Sequence, residues 1–308
     1  MIRQVAIVSG KGGTGKTSLA AAFAQLAAPV VVVDADVDAA DLRLVLAPQE
    51  RERHDYFSLP VACISPEHCL GCMACAQVCR FGAICQQDGR TFVDQAACEG
   101  CRACALICPV AAISFQARCT GAWMVADTAV GPLVHARLHP GAEHAGKLTT
   151  TVRDRGRALA AERGLDLVLI DGPPGIGCAA TAAIAGVDLA VAVTEPTPAA
   201  EADLERLWQR AGQLRVPLAL IVNRCDRNTA RAERMLATAS ARGGYPLGSL
   251  PTDPAFRAAQ RAGTSILGVA GAQLHEAVQR VWDSLRATLD AKTRCEPDRP
   301  VPAERYVP

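Results

Sequence analysis

The chain has 308 residues, 50% of them hydrophobic, and a formal net charge of +1. That length buries a substantial core and suits one large domain with a small one, while the near-neutral charge predicts no bulk pull towards nucleic acid or a membrane surface. No apolar run reaches the roughly 18–20 residues a membrane span needs, and the start leads into a strand pattern instead of a signal peptide, so a soluble, cytoplasmic protein without membrane insertion is expected.

The fourteen cysteines point to metal ligation, because a reducing cytoplasm does not sustain structural disulfides. The first element is an apolar strand over 5–8, followed by the glycine-rich stretch Gly10, Lys11, Gly12, Gly13, Thr14, Gly15, Lys16, Thr17 and an Ala-rich helix from Ser18 to about residue 28. Strand, glycine loop and helix in this order form a phosphate cradle. The glycines let the backbone turn N–H groups towards oxygens, and the helix start adds its positive end. In this G-x-x-x-x-G-K-[ST] pattern Lys16 reaches the β- and γ-phosphates of ATP, and the Thr17 hydroxyl binds Mg²⁺.

A second lysine, Lys11, makes the loop resemble the deviant Walker A family of the Mrp, MinD, ParA and nitrogenase iron protein type. That resemblance implies a homodimer closing face to face around two ATP molecules, with Lys11 reaching the partner's nucleotide. The strand over 30–33 then delivers Asp34, Asp36, Asp38 and Asp41. Asp36 matches the family's switch I carboxylate, which orients the attacking water or senses the γ-phosphate, and Asp38 is a second candidate. The order Asp-Val-Asp-Ala-Ala-Asp-Leu departs from the Pro-Asn found after the alanine in close relatives.

A hydrophilic stretch over 49–58 interrupts the α/β rhythm, and an internal repeat follows. Cys69, Cys72, Cys75 and Cys79 recur 29 residues later (98 − 69) as Cys98, Cys101, Cys104 and Cys108. Each half reads C-x₂-C-x₂-C-x₃-C, the pattern of bacterial two-cluster ferredoxins, although only the second half has the proline after its last cysteine. Under that pattern's crossover rule one [4Fe–4S] cluster takes Cys69, Cys72, Cys75 and Cys108, and the other takes Cys98, Cys101, Cys104 and Cys79. Zinc sites more often pair two C-x₂-C units across a long loop.

From residue 118 the alternation resumes, with a strand over 123–126, a helix over 147–163 and a strand over 166–171. Asp171 opens Gly-Pro-Pro-Gly and matches the family's Walker B and switch II carboxylate, holding Mg²⁺ through water. Cys178, together with Cys119, is a candidate for a third, intersubunit site by likeness to the nitrogenase iron protein. Cys63, Cys85, Cys225 and Cys295 lack such spacing. Further strands are expected over 189–194 and 217–222, with a helix over 199–214 between them. Asn223 then resembles the family's adenine-reading Asn, and Pro251 its base-side loop. Glu195-Pro196 carries no assigned chemistry. A last helix is expected over 271–291, before a proline-rich and charged tail without an amphipathic face.

The expected architecture is α/β. A mostly parallel, doubly wound P-loop NTPase sheet occupies 1–58 and 118–290, a small α+β ferredoxin domain is inserted at 59–117, and 291–308 form a disordered tail. The resemblance is to MinD-superfamily P-loop ATPases bearing an inserted ferredoxin domain. It implies an ATPase passing electrons through two clusters to a partner redox protein. The alternatives are a maturation factor that hands clusters to an apo-acceptor, and a switch governed by ATP and redox state.

Overall fold

A computed structural model describes residues 2–142 and 145–295, the last four by backbone alone. β1 (Arg3–Ser9) leads through the glycine loop into α1 (Lys16–Ala27), followed by β2 (Val31–Asp34), α2 (Leu42–Leu46) and β3 (Gln49–Phe57). A small unit comes next: β4 (Val61–Ile64), α3 (Ala74–Val78), β5 (Ile84–Gln87), β6 (Arg90–Val93), α4 (Ala103–Ile107) and β7 (Ile113–Gln116). The chain then returns through β8 (Cys119–Thr128), β9 (Gly131–Leu138), α5 (Ala145–Arg163), β10 (Leu167–Pro174), α6 (Cys178–Ile184) and β11 (Leu189–Thr194). It finishes with α7 (Pro198–Gln213), β12 (Leu218–Asn223), α8 (Thr229–Ala241), β13 (Tyr245–Leu250), α9 (Ala255–Ala262) and α10 (Ala272–Cys295).

One sheet organises the larger part, in the order β13-β12-β11-β1-β10-β2-β9-β8-β3. From β13 to β9 every pairing is parallel, whereas β8 and β3 continue it antiparallel. β1, β2, β11 and β12 are buried almost throughout and read as unbroken apolar runs because helices cover both faces. One core joins α1, α9 and α10 to the sheet through Phe23, Leu189 and Trp282, and the other joins α5 to α8 through Leu148, Ile184 and Leu207. The parallel strands therefore end together at one edge, where open α/β sheets bind ligands.

The small unit hangs between the ends of β3 and β8, which pair with each other and close its neck with a Ser58 N–H to Arg118 O bond. Inside it β4 pairs with β7 and β5 with β6, around a small core of Ala62, Ile84 and Cys104. The sequence repeat is also a backbone repeat. Gly71 and Gly100 share positive φ (65° and 63°), as do Met73 and Arg102 (59° and 67°) and Gly82 and Ala111 (62° and 50°).

Several elements differ from the sequence reading, three of them at the sheet's antiparallel side and the chain's end. The hydrophilic stretch is strand β3, an edge strand exposed at nearly every position, so no apolar alternation marks it. β9, unanticipated, continues the parallel sheet beside β2. The last helix extends to Cys295, into the stretch expected to be tail, and 296–308 lie outside the described residues.

Candidate functional site

The loop from Gly10 to Gly15 crosses the carboxyl edge of the sheet between β1 and α1, with Gly13 and Gly15 at φ +78° and +94°. A β-carbon on Gly15 would lie 2.6 Å from Asn223 Nδ2, and one on Gly10 would lie 2.3 Å from Asp203 Cβ on α7. Both positions need glycine for close approach, and Gly15 also for its backbone angle. Lys16, Thr17 and Ser18 form the first turn of α1, with Lys16 and Ser18 buried.

Lys16 meets a set of carboxylates delivered by neighbouring strands. Its Nζ lies 2.9 Å from Asp171 Oδ1, 3.9 Å from Asp36 Oδ2 and 3.5 Å from Thr17 Oγ1. Asp171 and Asp34 are direct register partners on β10 and β2, both essentially without solvent contact. Asp34 accepts the N–H groups of Leu42 (3.0 Å) and Asp36 (3.3 Å), and so ties the start of α2 to β2. Burial, then the charge of Asp171, pushes the Asp34 carboxyl well above its usual range. Asp36 is pushed up to about 6, with burial leading and Lys16 opposing. Burial alone would lower Lys16, but the pairing with Asp171, aided by Asp36 and Asp34, leaves it raised. One cation faces three carboxylates, so the site has room for added positive charge. Asp38 is exposed, yet its charge adds to the upward push on Asp36.

No three His, Cys, Asp or Glu side chains converge on a single metal ion among the described residues. Thr17 and Asp171 fit a Mg²⁺ that keeps its waters and takes its remaining oxygens from phosphate.

Lys11 folds back onto its own chain, 3.8 Å from Glu195 Oε2. Glu195 is 3% exposed and also pairs with Arg224 and, at 3.4 Å, Arg227. Asn223, expected to read adenine, makes its side-chain contacts here with the P-loop and its own chain neighbour. Buried at 1% exposure, it donates to Thr14 O (2.8 Å) and accepts the Arg224 N–H (2.9 Å), and so braces the P-loop from beneath. The Pro251 loop does lie alongside: Asn223 is in register with Leu250, and the Thr252 N–H donates to Asp226.

The repeat cysteines line two cavities in the small unit. One is bordered by Cys69, Cys72, Cys75 and Cys108, the other by Cys79, Cys98, Cys101 and Cys104. Backbone N–H groups of Gly71, Ala62 and Ala112 point at Cys69, Cys98 and Cys108 Sγ, at 3.3–3.5 Å. Cys178 is exposed at the start of α6, and Cys119 is half-buried with its Sγ on Gly121 O. No hydrogen bond or disulfide joins these two.

With this geometry in place, a family model described as the CobQ/CobB/MinD/ParA nucleotide binding domain matches residues 5–266. The chain belongs to that family. The match spans the small unit as well as the nucleotide site. A relative from Methanocaldococcus jannaschii, "Uncharacterized protein MJ0578", is 33% identical over 232 residues, covering 74% of this chain and 80% of its own.

Among solved structures, the MinD septum site-determining protein of Pyrococcus horikoshii, complexed with Mg-ADP, aligns at a TM-score of 0.56 with 20% identity, covering 95% of this chain and 99% of that one. The MinD cell division ATPase of Pyrococcus furiosus aligns at 0.55, also with 20% identity, over 94% and 100%. At that identity the likeness is one of fold. The CobQ/CobB/MinD/ParA fold accounts for the P-loop at the sheet centre. Sequence reasoning undervalued Asp34 and passed over Glu195 and Arg224, whose roles depend on partners far along the chain.

Proposed function

We propose that this family member is an ATPase that closes as a homodimer around two ATP molecules and couples their binding and hydrolysis to electron transfer through two [4Fe–4S] clusters towards a partner redox protein. The observation that carries the reading is the grouping of the cysteines around two cavities in the crossed sets, three from one repeat and one from the other. Four thiolates around an iron–sulfur cube stand further apart than ligands around one ion at about 2.3 Å. When bound, such clusters supply one-electron transfer. The chain's own contribution is to hold them by these thiolates, aim N–H groups at sulfur, and shield them with Ile64, Ile113, Ile84 and Phe115.

At the nucleotide site, incoming phosphates take Lys16 from Asp171, which frees Asp171 for Mg²⁺ together with Thr17. Asp36 lies within reach of the same lysine and is the carboxylate to position water. Lys11 leaves Glu195 for the partner's nucleotide, while Arg224 and Arg227 remain to neutralise Glu195.

A second reading, a nucleotide switch that controls partner docking, draws on the structural neighbours, one of which is a MinC:MinD cell division protein complex from Aquifex aeolicus aligned at a TM-score of 0.54. Anaerobic purification with iron and sulfide analysis, then stopped-flow oxidation with and without ATP, separates the readings. The proposal expects about eight iron atoms per chain and nucleotide-dependent oxidation. Oxidation indifferent to ATP, with clusters lost to an apo-acceptor, moves the assignment to maturation. A protein without iron or sulfide leaves the switch.

A further inference from the structure

A separate cavity of about 360 Å³ opens at the antiparallel end of the sheet, bordered by Arg43, Glu50, Arg53, His135, Arg137 and His139. Its volume falls within the range of small-molecule sites. The strand register builds it. Arg53, Met124 and His135 are successive partners across β3, β8 and β9, so their side chains share one face. Along β9, Val134, Ala136 and Leu138 belong to the core on the opposite face, and His135 and Arg137 alternate with them towards the cavity. Arg43, on α2, closes one side.

Two observations set this apart from an ordinary charged surface. The side chains of Arg53 and Arg137 make no hydrogen bond or ion pair among the described residues, and Arg43 donates only to Ala40 O, so three guanidiniums share the space with one carboxylate, Glu50, and none of them is ion-paired. His135 is only 5% exposed, and its Nδ1 has no hydrogen-bond partner. A buried polar atom without a partner is rare in folded proteins and sets this floor apart from a solvated surface. Burial, reinforced by Arg43 and Arg53 and opposed by Glu50, keeps the imidazole below its usual pKa and so neutral when the cavity holds no anion.

We propose that this cavity binds a small anionic molecule carrying a phosphate or carboxylate group. Arg43, Arg53 and Arg137 hold the anion, as guanidiniums hold planar and tetrahedral oxyanions elsewhere. His135 forms the buried floor beside them, and Glu50 accepts from a hydroxyl or amine of the same ligand. The site is distinct from the P-loop yet adjoins it, since His135 is the register partner of Asp34, and Arg43 follows Leu42, whose N–H holds Asp34.

The test is equilibrium dialysis of labelled pyrophosphate and labelled succinate against the full chain, with the nucleotide site first saturated with MgADP. At least one probe should bind at one equivalent per chain and shift the His135 ring resonances in step. Its affinity should fall about tenfold or more in Arg53→Gln and in Arg137→Gln. Pyrophosphate alone assigns a phosphate-bearing ligand, and succinate alone a carboxylate. Both arginines are exposed, and unchanged MgADP binding checks that the variants fold. Failure of both probes to bind at millimolar concentration, or binding that neither substitution weakens, overturns the proposal.

Discussion

Lys16 and Asp171 form a buried ion pair, Nζ to Oδ1 at 2.9 Å, between the start of α1 and the end of β10. The lysine proposed to serve phosphate is thus held by the carboxylate proposed to serve magnesium, so that each would become available only when the other's ligand arrives together with it. Nucleotide and metal should therefore bind as a unit.

Lys16→Ala should abolish ATP hydrolysis and leave the iron content unchanged, as read by phosphate release and iron analysis. It also strands the buried Asp171 without its cation, at a cost to stability of about 3 kcal/mol. Lys16→Arg keeps the charge and should recover much of that stability while hydrolysis stays lost. Wild-type turnover in either variant removes the phosphate-binding assignment.

Proton uptake by Asp36 sets a pH window. Its folded pKa of about 6 lies above the roughly 3.9 of an unfolded Asp, so the folded chain holds the proton more tightly. The group's contribution is fully present below about pH 4 and is lost as pH rises to about 6. Nucleotide-free protein should become less stable over that interval from this source, and Asp36→Asn should flatten the trend in urea unfolding. A slope that Asp36→Asn leaves intact counts against the assignment.

Asn223→Ala separates a brace from a base reader. Loss of the bond to Thr14 O should cost about 1 kcal/mol of stability and weaken ATP and GTP to the same degree, about tenfold by calorimetry. A selective loss of ATP binding would instead support the adenine-reading role.

The proposed crossed ligation makes Cys79 the most informative cysteine, since it borders the cavity lined by the later repeat's Cys98, Cys101 and Cys104. Cys79→Ser should lower iron from about eight to about four per chain and leave the site around Cys69 loaded. Retention of all iron contradicts the crossing.

Lys11→Ala should bind ATP normally and yet remain monomeric in light scattering, because Lys11 is the residue proposed to reach the partner's nucleotide. An ATP-dependent dimer in this variant rules out that role.

What could be read from the sequence divides by range. The P-loop from Gly10 to Ser18 and the cysteine spacings are local patterns whose chemistry needs no distant partner. Asp171 was legible because a long apolar strand points to it. Asp34 looked like one of several loop acids until register with Asp171, 137 residues away (171 − 34), fixed it in the interior. Glu195 gave no signal because its cations come from Arg224 and Arg227 on a later turn. β3 was hidden because solvent on both faces removes the alternation that marks a strand. The arginine and histidine cavity depends on β3, β8 and β9 lying in register, and no single stretch displays it.

Phe57 and Cys119 are direct partners, and Ser58 bonds Arg118 immediately beyond them. The two ends of the cysteine-bearing unit therefore leave the sheet side by side, the geometry of a tight turn. Excising 59–117 would convert β3 and β8 into a plain hairpin without disturbing a single parallel strand. A chain shortened at this neck is therefore expected to keep its parallel sheet, and the same pair of residues is where another unit would be joined.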